Sequence, residues 1–219
     1  MMFVNNVPIS EYGAMMQDNY TVSGAEVSSS YAENGRSIIL LDQKIGLKSI
    51  SVQLSFFGKD NDEAYSRYSA FCNSLLGGLE LVMPDAKMYR CVLTAIGTET
   101  WVTEGIMDVP FTFVGYKHDA LRVVVGNKVG CESTVPKTDC SLTVTVGKSG
   151  SNYKLGTVNF PTVTAGEVLK VDGITKRILV NGAPAAQRAE WLQFPYLVPG
   201  INNIECQDAV TVEYYPTYF

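Results

Sequence analysis

Histidine is almost missing from this chain: His118 is the sole imidazole in 219 residues. A Ser–His or Cys–His pair would have to recruit that one ring, and no serine or cysteine stands in a recognisable nucleophile setting. The five cysteines, Cys72, Cys91, Cys131, Cys140 and Cys206, are scattered, with no CxxC and no Cys/His cluster. Such a set reads as small apolar fillers and loop thiols, and it lacks the ligand spacing of a structural zinc site. No apolar run approaches the roughly 18–20 residues that a bilayer span needs. The opening MMFVNNVPIS has neither the basic region nor the apolar stretch of a secretory leader. The expectation is therefore synthesis in a cytosol that keeps thiols reduced, with no membrane partner. Basic charge is also short. Seventeen Lys and Arg face 22 Asp and Glu, a net of −5, which does not suit a chain that coats nucleic acid.

What is present is apolar and strand-forming. Hydrophobic residues make up 46% and charged residues only 18%, enough for a packed core and inconsistent with disorder. The charge is unevenly spread. Residues 1–119 hold 14 acids and 8 bases, a net of −6, and residues 120–219 hold 8 acids and 9 bases, a net of +1. The difference points to two domains.

Period-two alternation dominates. In 46–58 Ile50, Val52, Leu54 and Phe56 share one face and Ser49, Ser51, Gln53 and Ser55 the other, as in a half-buried strand. Segments 87–96 and 108–116 read the same way, with Pro110 expected at a strand start or an edge. One segment has a helical period. In 60–78 Tyr65, Tyr68, Cys72, Leu75 and Leu76 recur along one face and continue to Leu79. Asp60 with Glu63 forms a capping-box pattern, and Gly77-Gly78 supplies a left-handed stop. Segment 117–140 carries Gly, Pro, Thr and Asp punctuation and reads as a junction. Beyond it, short strands are expected at 141–147, 153–160, 167–173, 176–182, 202–206 and 210–215, with a hairpin over 171–182 ending at Asn181-Gly182. Six short strands in about 80 residues predict a β-sandwich.

Candidate chemistry is sparse. Glu167 with Asp172, or Glu99 with Glu104, are carboxylate pairs of the kind a glycosidase uses, but nothing in the sequence brings either pair to a cleft. Trp101 and Trp191 are candidate stacking surfaces. The VGKSG at 146–150 lacks the earlier glycine of a phosphate loop, Leu142 standing there, and reads as a hairpin turn. The chain is thus expected to have no catalytic, cofactor-binding or metal-binding residues and no enzymatic activity. A self-assembling structural protein or a binding module fits best.

The residues do carry a resemblance. The run ISVQLSFFGKDNDEAYSRYSAFCNSLLGGLELVMPDAKMYRCVLTAIG, followed by VPFTFVGYKHD, resembles the first domain of the distal tail protein (Dit) family of long-tailed, siphovirus-like bacteriophages and prophages. AGEVLKVDGITKRILVNG and FPYLVPGINNIECQDAVTVEYYPTYF resemble that family's second domain. The resemblance implies a mainly β fold: an N-terminal β-sandwich or barrel with one α-helix over 1–120, a junction at 121–140, and a galectin-like β-sandwich over 141–219. It implies a structural hub of the distal tail or baseplate, a homohexameric ring joining the tail tube to the tail tip. The implied partners are other copies of the chain, the major tail tube protein, a tail-tip or tail-associated protein and a receptor-binding protein. DNA would only pass through the lumen. The implied place is the virion tail, after synthesis in the bacterial host. An acidic first half would keep such a lumen from holding DNA, because like charges repel. The alternative is a carbohydrate-binding β-sandwich module, although the second half has no histidine of the kind galectins use for sugar.

The end of the chain adds one further expectation. Pro199-Gly200 should make a type II corner. Val210, Val212 and Tyr214 should point to the opposite sheet, locking the last strand into the second domain, and the tail with Tyr214, Tyr215, Tyr218 and Phe219 should fold back toward the first domain or a ring neighbour, packing within the chain in preference to forming an exposed partner patch.

Overall fold

The computed structural model describes residues 1–17, 20–35 and 37–219. The chain divides into two compact units, Met1–His118 together with Phe219, and Asp119–Tyr218. Each has its own apolar core.

The first unit is a mostly antiparallel sheet that curls as a half-barrel. Its main path runs Val7–Pro8, Phe3–Val4, Leu79–Val82, Met88–Ile96, Ile106–His118, Lys48–Phe57, Ala14–Met16. The alternation read in 46–58 is realised: Ile50, Val52, Leu54 and Phe56 are buried, and Ser51 and Gln53 are exposed. Ser55 departs from the pattern. It is buried, and its hydroxyl accepts a 2.6 Å hydrogen bond from the Gln17 amide.

Pro110 sits inside its strand, not at its start. On one flank Ile106–His118 pairs continuously with Lys48–Phe57. On the other it pairs first with Thr100–Thr103 and then with Met88–Ile96. Pro110 falls between those two partners, so the missing N–H costs no ladder bond, and its carbonyl accepts from Gly97 N–H at 2.8 Å.

The helix, α1, spans Asn61–Ser74. Asp60 caps it by accepting from Glu63 N–H (2.9 Å). Glu63 in turn accepts from Lys59 N–H (2.8 Å), one residue earlier than in the usual capping box. Arg67 bonds Glu63 (2.8 Å) and the Phe57 carbonyl (2.6 Å), fixing the helix start to the strand before it. Gly77 takes φ +95° beyond the C-terminus.

The buried face overlaps the expected one: Tyr68, Leu75 and Leu79 are buried as expected and Cys72 packs against the core, while two expected members are not covered. Ala64, Tyr68, Phe71 and Leu75 face the core, whereas Tyr65 and Leu76 are exposed. The buried set advances by four, three and four residues, which follows the 3.6 repeat, and a neighbour one residue on is rotated by about 100°. Phe71 packs on Phe56, Phe111 and Tyr12, with ring centroids 5.4–5.5 Å apart.

The second unit is a two-layer β-sandwich around one core cluster. One layer runs Arg122–Val125, Thr211–Tyr214, Thr138–Thr145, Val168–Asp172, Arg177–Val180, Ala183–Pro184. Opposite lie the pair Lys128–Cys131 with Gly200–Asn203 and the set Gly150–Leu155, Val158–Val163, Glu190–Trp191.

Segment 121–140, expected as a junction, is not a linker. Arg122–Val125 is laddered to Thr211–Tyr214, Lys128–Cys131 to Gly200–Asn203, and Thr138 and Asp139 to Leu197 and Tyr196. Its punctuation residues mark the turns between these strands. Segment 153–160 is a hairpin instead of one strand, turning at Gly156 with φ +61°. VGKSG is a crossing between the layers, since the strands on either side of it do not pair with each other. The 171–182 reading holds: Val168–Asp172 pairs with Arg177–Val180, and Asn181-Gly182, at φ +51° and +80°, turns into Ala183–Pro184, the signs a type I′ turn requires.

Candidate functional site

His118 ends its strand, buried, with its ring centroid 6.5 Å from that of Tyr116. Glu99 and Glu104 flank the exposed strand Thr100–Thr103 and are exposed themselves. Glu167 is engaged locally: it receives Arg188 at 2.9 and 3.2 Å and the Thr164 N–H at 2.9 Å. Its carboxyl is held below the usual range chiefly by the Arg188 guanidinium. Asp172 accepts the Ile174 and Thr175 N–H groups and the Thr175 hydroxyl, closing the hairpin corner. Burial raises its pKa, but these bonds outweigh burial and lower it. Two carboxylates spent on ion pairing and turn closure, and kept ionised, are poorly suited to donate a proton.

Among the described residues no three His, Cys, Asp or Glu side chains cluster as a metal site, and no helix is long and apolar enough to cross a membrane. Cys91 and Cys140 are buried thiols pushed up to about 12 by burial, which makes them inert fillers.

The tryptophans lie on open surface. Trp101 faces α1 across a groove of about 810 Å³, whose other lining includes Tyr65, Ser66, Ser69, Ala70 and Asn73. Trp191 is exposed beside Phe194 and the fully exposed Leu192. The polar groups near it are turned to the chain itself: Asn159 donates to Glu190 at 3.0 Å, and Thr157 to the Gln193 carbonyl at 3.1 Å. Among the described residues no convergent sugar-reading set stands around that ring.

The most distinctive surface is one the sequence reading passed over. Val27–Asn34 and Ser37–Ile45 form a long antiparallel hairpin, closed by Gly35 in the left-handed region (φ +63°). Every described side chain on it is exposed, including Val27, Tyr31, Ile38 (73%), Ile39, Leu40, Leu41 (65%) and Ile45. Tyr31 lies opposite Leu40 and Ala32 opposite Ile39. Neighbouring strand residues point to opposite faces, so the outer half of the hairpin is apolar on both sides.

Its base is fixed. Thr21–Val22 pairs with Ile50–Ser51, and the ladder continues through Ser23 N–H to Ser49 O (2.9 Å), Ser49 N–H to the Ser23 hydroxyl (3.0 Å) and Gly46 N–H to Glu26 O (2.6 Å). The hairpin is thus an arm extending an internal strand. An uncovered apolar surface of this kind marks an interaction site. The signal was legible in SIILLDQKI, an apolar run with no buried partner assigned to it.

Comparison with known proteins places the whole chain in one architecture. No protein-family model and no curated protein matches the sequence. Among solved structures, the Dit protein of phage SPP1, described as a paradigm of hub adsorption apparatus in phages infecting Gram-positive hosts, superposes with a TM-score of 0.74 at 12% identity. The match covers 100% of this chain and 98% of that one. The phage p2 baseplate in its activated conformation, with strontium and with calcium, contains a chain that matches at TM-scores of 0.55 and 0.54 and at 11% and 12% identity. Each match covers 93% of this chain and 90% of that one. The chain therefore shares its overall fold with that Dit protein.

Proposed function

We propose that this chain is a structural hub of a phage tail: a ring of six copies that joins the tail tube to the tail tip and the receptor-binding apparatus. The observation that carries the reading is the full-length match of both units, in one order, to a hub structure. Fold likeness by itself does not confer function, and the arm supplies independent support. A chain that holds an apolar hairpin in the open is incomplete as a monomer. The first units form the ring, and the second units project from it to carry receptor-binding or other baseplate proteins. The major tail tube protein lies above and a tail-tip protein below, all within the virion tail. DNA crosses the lumen without being held, helped by the acidic balance of the first unit. The role is non-enzymatic, in keeping with carboxylates committed to caps, turns and ion pairs.

The test is negative-stain microscopy of the purified full chain at high concentration, with light scattering on a sizing column. Six-fold annuli are expected. A strict monomer that binds glycans, and that forms no ring when tail tube protein is added, would replace this reading with the carbohydrate-binding one.

A further inference from the structure

We infer that the second unit takes a partner by strand addition: an extended segment of another baseplate protein, aliphatic at alternate positions, pairs with the outer side of Arg122–Val125. This rests on the hub reading above and deepens it by naming the surface through which the projecting units hold what they carry.

Arg122–Val125 ends its sheet. It is laddered on one side to Thr211–Tyr214 and, among the described residues, pairs with no strand on the other. The direction of its backbone groups follows from the register. Gly126 N–H donates to Val210 O at 2.8 Å, toward the inner neighbour. In an antiparallel ladder the N–H and C=O of one residue point to the same side, and successive residues alternate. Arg122 and Val124 therefore bond inward, and Val123 and Val125 aim their N–H and C=O groups outward. Such a row is the template that strand addition uses.

The side chains mark the same residues. Val124 packs against the core of the sandwich, whereas Val123 is 56% exposed and Val125 72%. Leu121, two residues earlier, is exposed as well. Their inner neighbours on that face are polar, Glu213 beside Val123 and Thr211 beside Val125. The aliphatic stripe is thus confined to the rim, where the side chains of an added strand would lie against it. None of its members carries a charge, so the donor meets them with uncharged aliphatic residues at every second position.

Three other edges of this unit carry devices that discourage strand addition. Ala183–Pro184 is two residues long and ends in proline. Gly150–Leu155 has Asn152 at φ +53° and an exposed Lys154. Glu190–Trp191 is two residues long and presents an exposed Glu190. Arg122–Val125 has three valines in succession and no proline, glycine or positive φ.

The occupant is another protein because of symmetry. Pairing this edge with itself makes an isologous contact, which needs a two-fold axis between the two copies, and neighbours in a ring built by one repeated rotation are not related by such an axis. Within the hub, the donor strand comes from a different component.

The test uses the full-length chain and a fluorescent, lysine-flanked peptide of alternating threonine and valine as the donor strand. Saturable anisotropy is expected, with hydrogen exchange slowed in segment 121–126 and unchanged at Ala183. Val123→Pro removes an outward N–H and none of the inner ladder. Val123→Lys combined with Val125→Lys leaves the backbone alone and charges the edge. Both should weaken peptide binding at least ~10-fold, as for losing a central anchor, while Val123→Thr, β-branched and uncharged, should retain it. Unchanged melting of the lysine variant shows that folding is intact even where proline strains the strand. A peptide that fails to saturate at millimolar concentration, protection at any other segment instead, or full binding by the lysine variant would each overturn the inference. So would parent assemblies that are held together through segment 121–126 and come apart in the lysine variant, since the occupant would then be a second copy. The hub reading fails separately: a chain that binds the peptide at this edge but forms no ring, with or without tail tube protein, would sink that reading and leave the strand acceptor standing.

Discussion

Two hairpins in this molecule have similar local construction and opposite fates. Val168–Asp172 with Arg177–Val180 presents Leu169 opposite Val180 and Val171 opposite Ile178, and all four are buried in the sandwich. Val27–Asn34 with Ser37–Ile45 is longer and as rich in aliphatic residues at its outer end, yet buries none of them. The first is stabilised by the opposite layer. The second is held by its turn, its ladder and its base, and a two-stranded hairpin without a covering layer is marginal in water. Apolar side chains in a strand therefore contribute to folding only where a second layer meets them. Otherwise they stay on the surface.

Several measurements would break or sharpen that contrast, the largest effect coming from the end of the chain. Removing 214–219 deletes buried Tyr214, whose hydroxyl donates to Gly130 O (3.0 Å). It also deletes the bonds from Thr217 N–H to the Ser133 hydroxyl (3.0 Å) and from Asp119 N–H to Pro216 O (2.9 Å). The second unit should lose at least about 3–5 kcal/mol, the scale of an aromatic core truncation, seen as an early transition in calorimetry. A second unit that stays folded while assembly fails would turn the terminal aromatics into an interface. Next in size, Leu169→Ala should cost about 2–5 kcal/mol in denaturant unfolding. Leu40→Ala on the arm should stay within about 0.5 kcal/mol for the monomer and weaken only assembly. Equal costs for the two leucines would mean that the arm is covered within its own chain.

Smaller still, Asp60→Ala should destabilise the first unit by about 1 kcal/mol through loss of the helix cap, measured by thermal melting against the parent. The gentlest perturbation is acid. Glu63 is held below its ordinary 4.5 by the Lys59 N–H and Arg67, and Asp208 below 3.8 by the Gly147 N–H and the Tyr153 hydroxyl. A carboxyl with a lower pKa folded than unfolded adds stability above its ordinary value and loses it as pH falls toward the folded value. Both units should therefore weaken from about pH 4.5 downward. Titration of the melting temperature between neutral and acid pH checks this.

Much of the fold was legible in the residues, for reasons that can be named. Strands such as Lys48–Phe57 and Thr211–Tyr214 follow from period-two burial, the helix start from Asp60 and Glu63, and the Asn181-Gly182 turn from its need for positive φ. What failed was long-range. On α1 the pattern gives Tyr68 and Leu75 but also Tyr65 and Leu76, which are apolar without being covered, and it omits Ala64 and Phe71. In segment 121–140 the turn residues outweigh two four-residue strands, so the local pattern reads as a junction. Pro110 was sent to an edge because nothing local reveals that its flank changes partners there. The arm went unread because an apolar strand awaiting another molecule has the same composition as one awaiting its own core.

Local chemistry settled the mainly β character, the single long helix, the turns and the shortage of reactive groups, since each depends on residues a few positions apart. The partners of those elements were decided by tertiary structure: which strands lie side by side, where a sheet edge is left open, and which apolar faces find no cover. Burial is a property of the whole arrangement. Ile38 and Ile178 are the same residue in the same kind of hairpin, and only the layer opposite makes one of them core and the other surface.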